Sequence, residues 1–203
     1  TNVSALNADF FVFSGHKVFG PTGIGAVYAK SELLESMPVW EGGGNMIQDV
    51  TFEQIIYQPA PNKFEAGTGN IADAVGLGAA LEYVENIGIN NIARYEHDLL
   101  EYGQHALSGV SGLRLIGTAK NKASVMSFVL EGYATEDVGK VLNQYGIAVR
   151  TGHHCAQPIL RRFGVERTVR PSLAFYNTTE EIDLLVSVLH QLRRAKPLKA
   201  SRH

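Results

Sequence analysis

The sequence predicts an α/β chain in two parts: a piece of a larger α/β domain over residues 1–87, and a smaller α+β domain over 88–203. Three observations carry this reading. Phe10-Phe11-Val12-Phe13 and Ile24-Gly25-Ala26-Val27-Tyr28 are short apolar runs, rich in β-formers and bounded by glycine and proline. A helical stretch from about Ala72 to Leu107 is broken at Gly88. Beyond Gly109, strand-like and helical segments alternate over short distances.

The two apolar runs are expected as adjacent buried strands joined by a tight turn from Gly15 to Gly23. Trp40 to Asn45, with three consecutive glycines, reads as a flexible or closely approached loop. Residues 46–70 show no clear period, and Gln58-Pro59-Ala60-Pro61 argues for an irregular excursion. Helix is expected over Ala72 to Asn86, with Val75, Ala79, Leu81 and Val84 at helical spacing, and again over Ile89 to Leu107. Ser124–Leu130, Ile147–Arg150 and Thr168–Phe175 are expected as strands, the last with Pro171 at an edge or bulge. Thr135 to Tyr145 reads as a helix with Thr135 as its N-cap. The last helix has a Thr178/Glu181 capping box, and Ile182, Leu185, Val188, Leu189 and Leu192 form one apolar face. Arg193, Arg194 and Lys196 complement its C-terminal dipole, and the tail from Lys196 to His203 is expected to be disordered.

Composition narrows the function classes. The 203 residues are 45% hydrophobic and 19% charged, ordinary for a soluble globular protein. A net charge of -2 gives no reason to expect nucleic acid or an anionic membrane as partner. No apolar run approaches the roughly 18 residues that span a bilayer, and no signal-peptide pattern opens the chain. The one cysteine excludes an internal disulfide, so a reducing compartment, by default the cytoplasm, is expected. The chain begins at Thr1 and enters a strand-like run within ten residues, which reads as a start in the middle of a fold.

Two constellations carry chemistry. Ser14-Gly15-His16-Lys17 ends a strand and enters a glycine-rich turn. Most lysines are simply solvated. This one is framed by small and hydroxyl residues, where a primary amine can condense with an aldehyde cofactor. Ser14 and His16 can donate to a phosphate beside it. Gly23-x-Gly25 precedes a strand rather than a helix, so it fails the dinucleotide fingerprint. Arg150-Thr151-Gly152-His153-His154-Cys155 is a polar loop whose histidines and arginine argue against an inert buried thiol. Three consecutive residues converge poorly on one zinc, and no second ligand pair follows, so no metal site is expected. Arg150 and Arg170 are candidates for a carboxylate clamp.

These motifs resemble a known family. Ser14 to Gly25 is similar to the cofactor-lysine signature of the class V aminotransferase superfamily, and Phe64-Glu65-Ala66-Gly67-Thr68 resembles its loop that reaches the partner subunit's cofactor phosphate. Arg150 to Cys155 and Ser172 to Thr178 resemble the group II cysteine desulfurases, the SufS- and CsdA-like enzymes related to selenocysteine lyases. The resemblance implies the aminotransferase fold type I of pyridoxal-phosphate-dependent transferases: 1–87 the C-terminal part of the large cofactor-binding domain, 88–203 the small domain. It implies that Lys17 forms a Schiff base with pyridoxal 5'-phosphate, with Ser14, His16 and the partner's copy of Thr68 at its phosphate. Cys155 would take sulfur from L-cysteine as a persulfide, leaving L-alanine, while Arg170 holds the substrate carboxylate and Arg150 lines the entrance. A homodimer, a SufE-like acceptor protein and a role in iron-sulfur cluster assembly are further implications.

Pro171 and Gly69 depart from the family's usual residues. The family's ring-stacking histidine, pyridine-nitrogen aspartate and glutamine lie upstream of its lysine, whereas only sixteen residues precede Lys17 here. A selenocysteine lyase, or a non-catalytic interaction module if no upstream half exists, is the alternative.

Overall fold

The structure, a computed structural model, describes residues 1–117 and 119–194. It forms two compact units, divided after Gly88.

The first unit opens with a one-turn helix α1 (Val3–Leu6), capped by Asn2, whose side chain accepts from the Ala5 amide. Strands β1 (Phe10–Ser14) and β2 (Gly25–Ala29) pair antiparallel, from Phe10 opposite Ala29 to Ser14 opposite Gly25. They were expected to be buried, and here the structure differs: Phe10, Val12 and Val27 are 47%, 68% and 64% exposed. Apolar residues on both faces suit a sheet covered on both sides, but this ribbon has only two strands. Helix α2 (Ser31–Ser36) follows.

The aperiodic stretch contains a hairpin that sequence did not reveal, β3 (Ile47–Val50) and β4 (Ile55–Tyr57). A register shift between Ile47 and Asp49 hides its alternation. Thr51 closes the turn: its hydroxyl accepts from the Glu53 and Gln54 amides. Helix α3 (Ile71–Ile87) is capped by Asn70, which accepts from the Asp73 amide. It buries Leu77 and Val84, whereas Val75 and Leu81, expected on its inner face, are exposed.

The second unit is a four-stranded antiparallel sheet in the order β5-β6-β8-β7, comprising β5 (Leu113–Ile116), β6 (Ser127–Leu130), β7 (Arg150–Gly152) and β8 (Thr168–Arg170). Helices α4 (Ile89–Ser108), α5 (Thr135–Gln144), α6 (Gln157–Arg162) and α7 (Thr179–Arg194) accompany it. Phe128, Val169, Leu100, Leu107, Leu142 and Leu189 centre its core. All five apolar positions expected on α7 are buried, each stabilising by roughly 1.5–3 kcal/mol. The α7 capping box forms reciprocally: the Thr178 amide donates to Glu181 Oε2 at 3.1 Å, and the Glu181 amide to Thr178 Oγ1 at 3.4 Å.

Three local expectations shift. Thr135 is the first helical residue rather than the cap; Ala134 takes that place without a side-chain bond. Strand β7 starts at Arg150, later than expected, and Ile147 and Val149 pack on the core from the preceding connection. Most consequential, β8 is an inner strand. It ends at Arg170, because Pro171 has no N–H for the ladder, and pairing resumes as an isolated bridge between Val125 and Ser172. Lys196 and the tail lie outside the described residues. Among the described residues, no helix is long and apolar enough to cross a membrane.

Candidate active site

Strand β1 delivers Ser14 as its last residue, and His16 and Lys17 follow on a 3-10 turn, Gly15–Val18. The turn is tied back on itself: the Gly15 amide donates to Ile24 O at 2.8 Å and the Gly20 amide to Gly15 O at 2.9 Å. Gly25 lies opposite Ser14, and a Cβ there would stand 2.6 Å from the Phe13 carbonyl oxygen. Only glycine lets the two strands close so near the lysine. Lys17 and His16 are exposed, and Ser14 is half-buried. None of the three side chains bonds to a described residue: a hydroxyl at the strand end, and an imidazole and a primary amine on the turn that follows.

The Thr68 loop belongs to the same unit. The Gly67 amide donates to Gly44 O at 2.8 Å, so the glycine-rich loop after Trp40 is closely approached, as expected. Thr68 is exposed and bonds to no described residue. Beside it lies a groove of about 720 Å³, lined by Asn45, Glu65, Ile71 and Val75 among others. Ile71 and Val75 are 68% and 71% exposed there.

In the second unit, β7 ends in the cysteine loop. Arg150 and Arg170 are cross-strand partners, as are Thr151 and Val169. Helix α5 can approach β7 because position 139 is glycine: a Cβ there would meet Thr151 Cγ2 at 2.5 Å. His154 and Cys155 both hold left-handed backbone, φ 53° and 55°. Such residues cost about 1–3 kcal/mol each unless their surroundings hold them. Neighbouring polar groups hold them here. His154 Nε2 lies 3.1 Å from Thr168 O and 2.9 Å from Thr168 Oγ1, the Cys155 amide donates to His153 Nδ1 at 3.1 Å, and the Ala156 amide donates to His153 O at 2.8 Å. Cys155 is exposed, with Arg150 Nη2 4.0 Å from its Sγ.

Burial holds the His154 imidazole below the usual range of 6.5, aided by the positive charge of Arg170 and Arg150 and opposed by the Thr168 carbonyl. Among the described residues, its Nδ1 is buried without a partner, and so is Nε of Arg170. The loop therefore presents an accessible thiol beside Arg150, whose cross-strand neighbour is Arg170, and neither arginine is paired to a carboxylate among the described residues. That arrangement can receive an anionic substrate next to a nucleophile. Thus the structure groups Ser14, His16 and Lys17 on one turn, and Arg150, Cys155 and Arg170 on one strand pair with its loop. Sequence reasoning read His154 as a charged neighbour of the thiol and missed its anchorage on Thr168, with burial holding it towards the neutral form. Its partner lies fourteen residues away on another strand, and no local signal joins the two.

The class V aminotransferase family matches residues 1–185, and the chain belongs to that family. The cysteine desulfurase of Synechococcus elongatus is 66% identical over 192 residues, covering 95% of this chain and 31% of that protein. The crystal structure of Escherichia coli cysteine desulfurase CsdA, in its S-sulfonic acid form, is similar at 42% identity and TM-score 0.90, covering 96% of this chain and 48% of that one. An apo cysteine desulfurase from Thermococcus onnurineus NA1 is similar at 38% identity and TM-score 0.91, covering 95% and 48%. The chain thus spans about a third of its cyanobacterial relative and about half of each of these solved chains. Its fold is that of the pyridoxal-phosphate-dependent transferases, as the Lys17 turn led one to expect.

Proposed function

We propose that this chain carries the lysine and cysteine parts of a cysteine desulfurase that takes sulfur from L-cysteine and leaves L-alanine. The observation that carries the reading is the exposed thiol of Cys155, set on a strained loop beside Arg150 and next to a strand ending in Arg170. The 66% identity to a cysteine desulfurase supports the substrate.

The free donor set on the lysine turn fits pyridoxal 5'-phosphate. Ser14 and His16 suit its phosphate, joined by Thr68 from the second subunit of a homodimer, and the Lys17 amine suits its aldehyde. When bound, that cofactor supplies an electron sink which weakens bonds at the substrate's Cα and Cβ. Lys17 moves protons at those two carbons. Arg170 holds the substrate carboxylate with parallel N–H bonds, and Arg150 lines the same approach. Cys155, as thiolate, attacks the substrate sulfur: an S–S bond forms as the Cβ–S bond breaks, and the electron pair left on Cβ takes up a proton. Sulfur then resides on Cys155 as a persulfide. A separate acceptor protein of the SufE type takes the sulfur on from the exposed Cys155, for uses such as iron-sulfur cluster assembly in the cytoplasm.

The test is a single turnover of the full-length holoprotein with cysteine, read by intact and peptide mass spectrometry. One added sulfur on the Cys155 peptide, with one alanine released per sulfur, is expected. Stoichiometric alanine with no sulfur on that peptide would overturn the persulfide route.

A further inference from the structure

We infer that His154 is the positioning residue for the Cys155 thiol: its Nε2–H, anchored on Thr168, pins two consecutive left-handed residues and keeps Sγ beside Arg150. The inference rests on the proposed desulfurase reading for its consequence in turnover, but its geometry stands apart from that reading.

The anchor has a defined sense. A carbonyl oxygen only accepts, so the 3.1 Å contact with Thr168 O requires the proton on Nε2, and the Thr168 hydroxyl at 2.9 Å reinforces the same nitrogen. The other ring nitrogen is buried with no partner among the described residues, so a proton there would go unsatisfied, and the nearby Arg170 charge disfavours a second proton on the ring. His154 is therefore held as one neutral tautomer. Thr168 is itself fully buried in an inner strand, so the anchor does not move with the loop. Among the described residues, the further ties are the Arg150 contact with Sγ and the two bonds to His153, and both of those side chains are exposed. Among the described residues, Thr168 supplies the only hydrogen bond from sheet backbone that holds residues 154 and 155 at φ 53° and 55°. Backbone relaxation there swings Sγ away from its place 4.0 Å from the Arg150 guanidinium.

Isosterism makes the test specific. Glutamine places its amide nitrogen as many bonds from Cβ as imidazole Nε2; asparagine reaches only the Nδ1 position. In the full-length holoprotein, His154→Ala and His154→Asn are expected to lower kcat for cysteine by about a hundredfold, the scale of an ångström-sized misplacement. KM should stay unchanged, and His154→Gln should restore kcat. Alkylation of Cys155 by iodoacetamide at neutral pH, followed on its peptide, should show the same order without requiring desulfurase activity. Cofactor absorbance is read in each variant to show that the lysine turn is intact. Alanine alkylating and turning over like the parent, or glutamine failing as alanine does, would overturn the positioning role. Should the parent prove inactive on cysteine, the proposed function fails while the alkylation series still decides this one.

Discussion

Arg150 and Arg170 stand directly opposite one another in the β7–β8 ladder, two cations as cross-strand neighbours. Like charges placed so oppose pairing by roughly 0.2–1 kcal/mol. Arg170 adds a buried Nε without an acceptor among the described residues. Arg170→Met, which keeps length and removes both penalties, is therefore expected to raise the midpoint of urea unfolding. The same change should raise KM for cysteine by about 10–100-fold, the loss of a charged hydrogen-bonded clamp. Lower stability together with an unchanged KM would remove Arg170 from the substrate site.

Thr68 and Lys17 are proposed to serve opposite subunits of a two-fold dimer. Lys17→Ala should abolish the borohydride-reducible link between cofactor and protein, and Thr68→Ala should weaken cofactor retention. Mixed under subunit exchange, two such inactive variants should regain activity, since one site of each heterodimer then has both residues. Verified exchange without recovery argues that each subunit supplies its own threonine.

Gly139 tests how tightly α5 seats β7. Alanine in a helix interior gains up to about 1 kcal/mol over glycine. Its methyl here would meet Thr151 Cγ2 at 2.5 Å, and overpacking typically costs about 1–3 kcal/mol. Because threonine is stiff about its first side-chain torsion, the clash is expected to win, so Gly139→Ala should be destabilising by chemical denaturation. Adding Thr151→Ser, which deletes that methyl, should reverse the sign. A stable Gly139→Ala single variant would show that the strand yields.

His154 links stability to acidity. Its folded-state affinity for protons lies below the ordinary value of 6.5, because burial and the facing Arg170, Arg150 and His153 outweigh the Thr168 carbonyl. As pH falls below 6.5, the unfolded chain takes up a proton that the folded chain refuses, so stability declines until the folded-state value is passed. Above 6.5 the term vanishes. His154→Gln is expected to flatten that part of the stability-versus-pH curve, measured as unfolding free energy in urea at successive pH values. An identical slope in the variant would assign the acid sensitivity to other groups.

The readings that sequence alone could carry were those with short reach. The Thr178/Glu181 box and the apolar face of α7 depend on residues three or four apart, and both formed as written. Ser14, His16 and Lys17 are consecutive enough that a strand and one turn bring them together. Pro171 shows the limit: proline reliably ends a ladder, but whether its strand is central or at an edge depends on which distant segments flank it. The β1–β2 ribbon shows another, since apolar runs announce a wish to be buried without saying what covers them. The β3–β4 hairpin escaped notice because a bulge erases the period of two. Arg150 opposite Arg170, Gly139 under Thr151 and His154 on Thr168 arise from pairing and packing between segments that local propensity cannot join. The proposed chemistry was therefore read from residue types, while the placement of Arg150, His154 and Arg170 was decided only when the sheet of the second unit set its register.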